Sequence, residues 1–194
     1  MRTVLLLGLF LLSACGSEAP KQPAQESKTA ERAPSGGQTP GAAGVVDRSH
    51  AGAEATDTSF EDPDGNKTSL AAFAGRPVLL NLWATWCAPC VKELPTLDAL
   101  QVREGKKLQV LTVSQDMEGR AKVEAFLAKA GFRTLEAWLD PDMELMADLG
   151  VSTLPTTILY DAKGNEVWRV TGDRDWTSGE TAALLREVSP EAVR

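Results

Sequence analysis

The chain has 194 residues, 43% of them hydrophobic and 24% charged. Twenty-seven acidic residues against twenty basic ones give a net charge of −7, with no Lys/Arg cluster, which argues against nucleic acid as a partner. Three cysteines and one histidine are no more than the four ligands a zinc site takes, so such a site would need every one of them, and no apolar run is long enough to span a bilayer.

In chain order, Arg2 precedes a short apolar stretch over residues 4–12, followed by small residues and Cys15. Length and flanks read as a secretory signal. Leu12-Ser13-Ala14-Cys15 resembles a bacterial lipobox, which implies removal of residues 1–14 and lipidation of Cys15. Removal takes away one arginine, leaving the mature chain near −8. Residues 16–58 are rich in Ala, Pro, Gly, Ser and Gln without apolar periodicity, so residues 15–58 are expected as a lipidated cysteine and a disordered tether. His50, the single histidine, falls in that stretch and is read as a solvated side chain.

Residues 59–194 suffice for one compact domain and are too few for two. Asp64-Gly65 predicts a small hairpin between Phe60 and the segment 68–70. The apolar run 78–83 predicts a fully buried strand, and residues 89–103 a helix bent at Pro95. A strand is expected over 108–113 and a helix over 118–130, stopped by Gly131. A short strand near 135–139 and a helix over 143–149, closed by Gly150, come next. Residues 156–160 and 166–170 read as a hairpin around 161–165, and 176–188 as the last helix. This order predicts an α/β domain with a helix-covered sheet.

Trp86-Cys87-Ala88-Pro89-Cys90 stands where the first long strand gives way to the first long helix. A thiol over a helix N-terminus meets unpaired amide N–H groups, which favour its anion. The thiolate is the form that attacks a disulfide. The second thiol, three residues on, shares the helix face. The spacing therefore points to redox chemistry. Zinc is disfavoured because the other soft ligands, Cys15 and His50, lie outside the expected fold. A purely structural disulfide is disfavoured because so short a loop adds little entropic stabilisation. Asn66-Lys67-Thr68 fits a glycosylation pattern, a reading that a bacterial-type leader disfavours.

Residues 81–90, Asn81-Leu82-Trp83-Ala84-Thr85-Trp86-Cys87-Ala88-Pro89-Cys90, then Glu93-Leu94-Pro95, then Leu154-Pro155-Thr156-Thr157, resemble the thioredoxin-like disulfide reductases of the TlpA and ResA type. The resemblance covers Phe60 to Val188, including the leading hairpin and Asp140-Pro141-Asp142. It implies a thioredoxin-like fold, a central mixed sheet flanked by helices, with an N-terminal hairpin extension and an extra strand–helix segment. It makes Cys87 the exposed attacking thiolate and Cys90 the resolving thiol, with Ala88 and Pro89 tuning the potential. Pro155 is implied as a cis-proline facing the pair. Leu154 would offer backbone hydrogen bonds to substrate, and Trp86 would shape the substrate surface, while Trp83 belongs to the core.

Cytoplasmic thioredoxins carry a buried aspartate where this chain has Asn81, and an amide cannot take a proton. Glu93 matches a glutamate of the extracytoplasmic reductases and is the expected acceptor of the Cys90 proton. The sequence reading is thus a lipid-anchored, monomeric disulfide reductase of the bacterial cell envelope. It faces the periplasm, with Gly16 favouring the outer membrane. It needs no cofactor or metal, acts on protein disulfides and draws electrons from a membrane thiol reductant. Clients of the family belong to cytochrome c maturation, respiratory oxidase assembly or thiol repair. Competing readings are a thiol peroxidase of the same fold, a copper-site assembly protein and a non-enzymatic interaction module. The first lacks a separate peroxidatic cysteine and the second lacks Cys-x-x-x-Cys with a histidine. The third predicts that Cys87 and Cys90 are dispensable.

Overall fold

A computed structural model of the protein describes residues 44–188. The expected leader (1–14), Cys15 and the tether up to residue 43 lie outside the described residues, as do 189–194.

The strands are β1 (Val45–Asp47), β2 (Phe60–Glu61), β3 (Lys67–Thr68), β4 (Val78–Trp83), β5 (Gln109–Ser114), β6 (Trp138–Leu139), β7 (Thr156–Tyr160) and β8 (Glu166–Thr171). They form a single sheet in the order β1-β8-β7-β4-β5-β6-β2-β3. Its centre, β4-β5-β6, is parallel, whereas β7 and β8 join as an antiparallel pair beside β4. The helices are α1 (Ala88–Glu104), α2 (Arg120–Ala130), α3 (Glu144–Asp148) and α4 (Gly179–Leu185), with a 3-10 turn at Leu70–Phe73. The expected mixed sheet, hairpin extension (β2-β3) and extra strand–helix segment (β6-α3) are all present.

β4 is buried along its whole length because both faces are covered. Side chains alternate across a strand, so Leu79 and Trp83 enter a core with Leu94, Leu97 and Leu100 of α1 and with Trp168, Trp176 and Leu185. Val78, Leu80 and Leu82 enter the other core, with Phe60, Leu111, Leu145 and Ile158. Each fully buried leucine of these layers contributes about 1.5–3 kcal/mol. By the same parity Asn81, fully buried, falls on the α1 side.

The tether expectation needs correction. Residues 44–58, assigned to it, belong to the fold: β1 pairs antiparallel with β8 and Glu54 bridges to Asn165. Gly52 N donates to Glu166 O at 2.7 Å, Glu166 N to Ala53 O at 2.8 Å and Ala55 N to Gly164 O at 2.8 Å. These contacts are made by the backbone, which composition does not reveal. The domain therefore begins no later than residue 44, and His50 lies exposed in a turn of it.

The last helix is shorter than expected. Residues 176–178 are an entry loop in which Ser178 Oγ accepts from Thr181 N at 3.2 Å, a side-chain N-cap that fixes the start at Gly179. Trp176 is fully buried ahead of the helix rather than on its face. Two other starts shift similarly: α2 begins at Arg120 and α3 at Glu144, after Met143 in the left-handed region at φ 56°. Helix α1 runs through Pro95 to Glu104.

Candidate active site

Cys87 is the N-cap residue of α1. Its φ of −88° and ψ of 98° are extended, and its Sγ accepts the N–H of Cys90 at 3.3 Å. Pro89 occupies the first turn, where its missing N–H would have had no partner in any case. The sulfur thus accepts a first-turn amide at the positive end of the helix, which stabilises a thiolate. Cys87 and Cys90 are joined as a disulfide with Cα atoms 5.3 Å apart.

The expectation of an exposed Cys87 is corrected. The residue retains only 6% of its accessible surface, and Cys90 none. Capping folds Sγ onto α1, and both sulfurs pack against the α1 core. Of the two, only Cys87 borders a groove of about 480 Å³, together with Trp86, Ala88, Pro89, Gln115, Met143, Met146, Ser152, Thr153 and Leu154. Trp86 is 64% exposed on its rim. The Leu154–Pro155 bond is cis. The structure therefore brings Trp86, Ala88, Pro89 and Leu154 together around Cys87, with Pro155 directly after Leu154.

Glu93 lies on α1 one helical turn after Cys90 and is only 2% exposed. Asn81 Nδ2 donates to its Oε1 at 2.7 Å; Arg174 N and Trp176 Nε1 donate to Oε2 at 3.0 and 3.1 Å. Burial pushes the carboxyl up, the three hydrogen bonds pull it down, Asp173 adds repulsion, and the balance is about 7. In this disulfide form Cys90 carries no S–H to share with Glu93, so the expected proton transfer belongs to the reduced protein. Asn81 Nδ2 also donates to Thr157 Oγ1 at 2.9 Å, from its cross-strand neighbour on β7. Asn81 Oδ1 is buried without a partner. Turning this amide over would set Oδ1 against a protonated Glu93, so each protonation state has its own matching arrangement.

The loop leading to Cys87 is pinned from β5. The Asp116 carboxylate accepts from Thr85 N at 2.8 Å, Thr85 Oγ1 at 2.6 Å and Ser114 Oγ at 2.7 Å, with Lys122 Nζ at 3.3 Å. Burial raises its carboxyl, but the bonds from Thr85, Ser114 and Lys122 outweigh that and hold it below the ordinary range. Arg174 is buried too; its Nη2 donates to Gly44 O at 2.8 Å and its Nη1 to Glu180 at 3.1 Å. One short loop thus touches both Glu93 and Gly44, just ahead of the first strand. Sequence reasoning missed Gln115, Asp116, Arg174 and Trp176 as neighbours of the site. Only the position of Gln115 and Asp116, just past a strand end beside the cysteine loop, carried any signal.

Residues 50–185 match the family model described as Redoxin. The thiol-disulfide oxidoreductase ResA of Bacillus anthracis is 30% identical over 140 residues, covering 72% of this chain and 79% of that protein. ResA of Bacillus subtilis is 35% identical over 122 residues, covering 62% and 67%. Among solved structures, the pneumococcal exposed lipoprotein thioredoxin of Streptococcus pneumoniae superposes with a TM-score of 0.58 at 26% identity, covering 70% of this chain and 99% of that one.

Proposed function

The chain belongs to the redoxin family and is a thioredoxin-like thiol–disulfide oxidoreductase, and from that premise we propose that it is a membrane-anchored, extracytoplasmic reductase of protein disulfides. The observation that carries the mechanism is the asymmetry of the pair: Cys87 Sγ caps α1 and borders the groove, whereas Cys90 is sealed. In the reduced protein the Cys87 thiolate attacks one sulfur of a substrate disulfide. A Cys87–substrate bond forms, and the other substrate sulfur leaves as a thiolate and takes a proton. Cys90 then gives its proton to Glu93 and attacks Cys87 Sγ. The internal disulfide reforms and the second substrate thiolate departs. Two electrons have passed from the dithiol to the substrate, and a membrane dithiol reductant would restore them.

A carboxylate with pKa near 7 is suited to that proton transfer, being substantially ionised at neutral pH yet basic enough to accept. Trp86, Leu154 and Pro155 would present the substrate, and Ala88 and Pro89 would tune the potential. Anchoring rests on the Cys15 lipobox, and the relative named an exposed lipoprotein supports it. Gly16 favours the outer membrane, and cytochrome c or oxidase maturation and thiol repair are the candidate client processes.

The test uses the whole reduced protein with a protein disulfide. Cys90→Ser should accumulate a mixed disulfide through Cys87, read by mass spectrometry, and Cys87→Ser should trap nothing. Trapping through Cys90 would overturn the assignment. The mature wild-type protein should weigh as a chain beginning at acylated Cys15, and an unacylated mature chain would remove the anchor.

A further inference from the structure

We propose that Gln115 is a substrate-binding residue, its side-chain carbonyl accepting a hydrogen bond from the main-chain N–H of a polypeptide next to the cysteine that Cys87 attacks. The inference rests on the reductase reading of this groove.

Gln115 is the first residue past β5, and its backbone N donates to Trp83 O at 2.8 Å, which ties it to the end of β4 just before the cysteine loop. The residue is only 1% exposed. Nε2 makes only a long bond of 3.4 Å to Val113 O, and Oε1 is buried without any partner. Native interiors almost always pair such atoms, because a desolvated carbonyl left alone is costly. Among the described residues four side-chain polar atoms are orphaned in this way: on Asn81, Gln115, Trp168 and Arg174. Of these four residues only Gln115 lines the groove beside Cys87. Gln115 thus brings an unmet acceptor to the wall of the groove that Cys87 borders.

The chemistry of the groove narrows what that partner is. Apart from Cys87 its lining carries no ionisable side chain, and Trp86, Ala88, Pro89, Met143, Met146 and Leu154 make it largely apolar. Charged donors such as lysine or arginine would be stripped of water there with no countercharge. A main-chain N–H is a neutral donor, and one lies beside nearly every cysteine of a protein substrate whatever the neighbouring side chains are. An acceptor matched to it serves many clients, as does a wall built partly from adaptable methionines. Docking needs a small turn of the Gln115 amide toward the incoming strand, which its single weak bond does little to resist.

The experiment measures reduction of two disulfides by the full-length reduced protein. One is a peptide disulfide with apolar residues around the cysteines; the other is dithiobis(nitrobenzoate), which has no peptide group. Gln115→Leu should lower kcat/KM for the peptide about tenfold, the size of one lost neutral hydrogen bond at the upper end of its range. The aromatic disulfide, which offers no main-chain N–H, should lose less of its rate than the peptide does, and the urea midpoint should not fall, since the substitution removes an unpaired group. N-methylation of the peptide on either side of the reactive cysteine, tested one position at a time, should reproduce the loss with wild type at one position and add nothing further with Gln115→Leu. Equal sensitivity of both proteins to methylation would overturn the bond, and equal slowing on both disulfides would mean a structural role instead. Failure of wild type to reduce either disulfide would refute the reductase reading itself, an outcome separate from these. The methylated peptides with wild type keep the proposal testable if Gln115→Leu does not fold.

Discussion

Replacing Glu93 by glutamine isolates one buried charge. Burial, opposed by hydrogen bonds from Arg174 N, Trp176 and Asn81, moves the Glu93 carboxyl from an ordinary 4.5 to about 7. At about 1.4 kcal/mol per pH unit, the ionised form is disfavoured by about 3 kcal/mol in the folded protein relative to the unfolded chain. The sign follows from proton counts. Between these two values the unfolded chain has lost its proton while the folded one still holds it, so stability falls as pH rises. The contribution is fully present below pH 4.5 and gone above about pH 7 to 8. Glu93→Gln has no such slope, and its amide has a ready partner in the orphaned Asn81 Oδ1. Urea unfolding of the oxidised protein, in which the cysteines do not titrate, should show the variant gaining about 3 kcal/mol on wild type between pH 4 and pH 8. In single-turnover reactions of the reduced protein, resolution by Cys90 should slow by about a hundredfold, the lower range of general base catalysis, and lose its rise near pH 7. Parallel stability profiles would refute the burial argument, and superimposable rate profiles would send the Cys90 proton elsewhere.

Three further perturbations test other parts of the account. Asp116→Ala removes the acceptor that pins Thr85, and unfolding should become easier by about 2–3 kcal/mol, while a change below about 0.5 kcal/mol would mean the loop holds itself. Removing residues 1–43 should leave the melting temperature of the domain intact. Removing 1–58 strips β1, its pairing with β8 and the Arg174–Gly44 bond, at a cost on the order of 2 kcal/mol or several degrees; equal melting of the two would restore residue 59 as the boundary. Peptide disulfides with a charged residue beside the cysteine should be reduced about tenfold more slowly than those with leucine there, since the groove offers no countercharge, and equal rates would mean that position stays in water.

The sequence was most legible where a signal was local. The run from Val78 to Trp83 announced a strand buried on both faces, and Cys87 before Pro89 announced a helix start. Glu93 could be placed near Cys90 by helical spacing alone. What made it functional in appearance could not be read, because Arg174 and Trp176 arrive from about eighty residues away and their approach depends on tertiary packing. Strand β1 was hidden for another reason. Its pairing uses main-chain groups that every residue carries, so a Gly- and Ala-rich flank looks unfolded until its neighbour β8 is known. Trp176 misled because an aromatic beside a helical pattern counts toward the helix face, whereas the Ser178 cap begins the helix after it. Gln115 belongs to no motif, and its interest lies in a bond it does not make.

The central claim is that Cys87 and Cys90 deliver electrons to protein disulfides. Equilibrating the pair against a thiol buffer of known poise measures its reduction potential directly. A reducing value in the range of thioredoxin, roughly −270 mV, is expected, whereas a value near −120 mV would make the pair an oxidant and contradict its role as an electron donor.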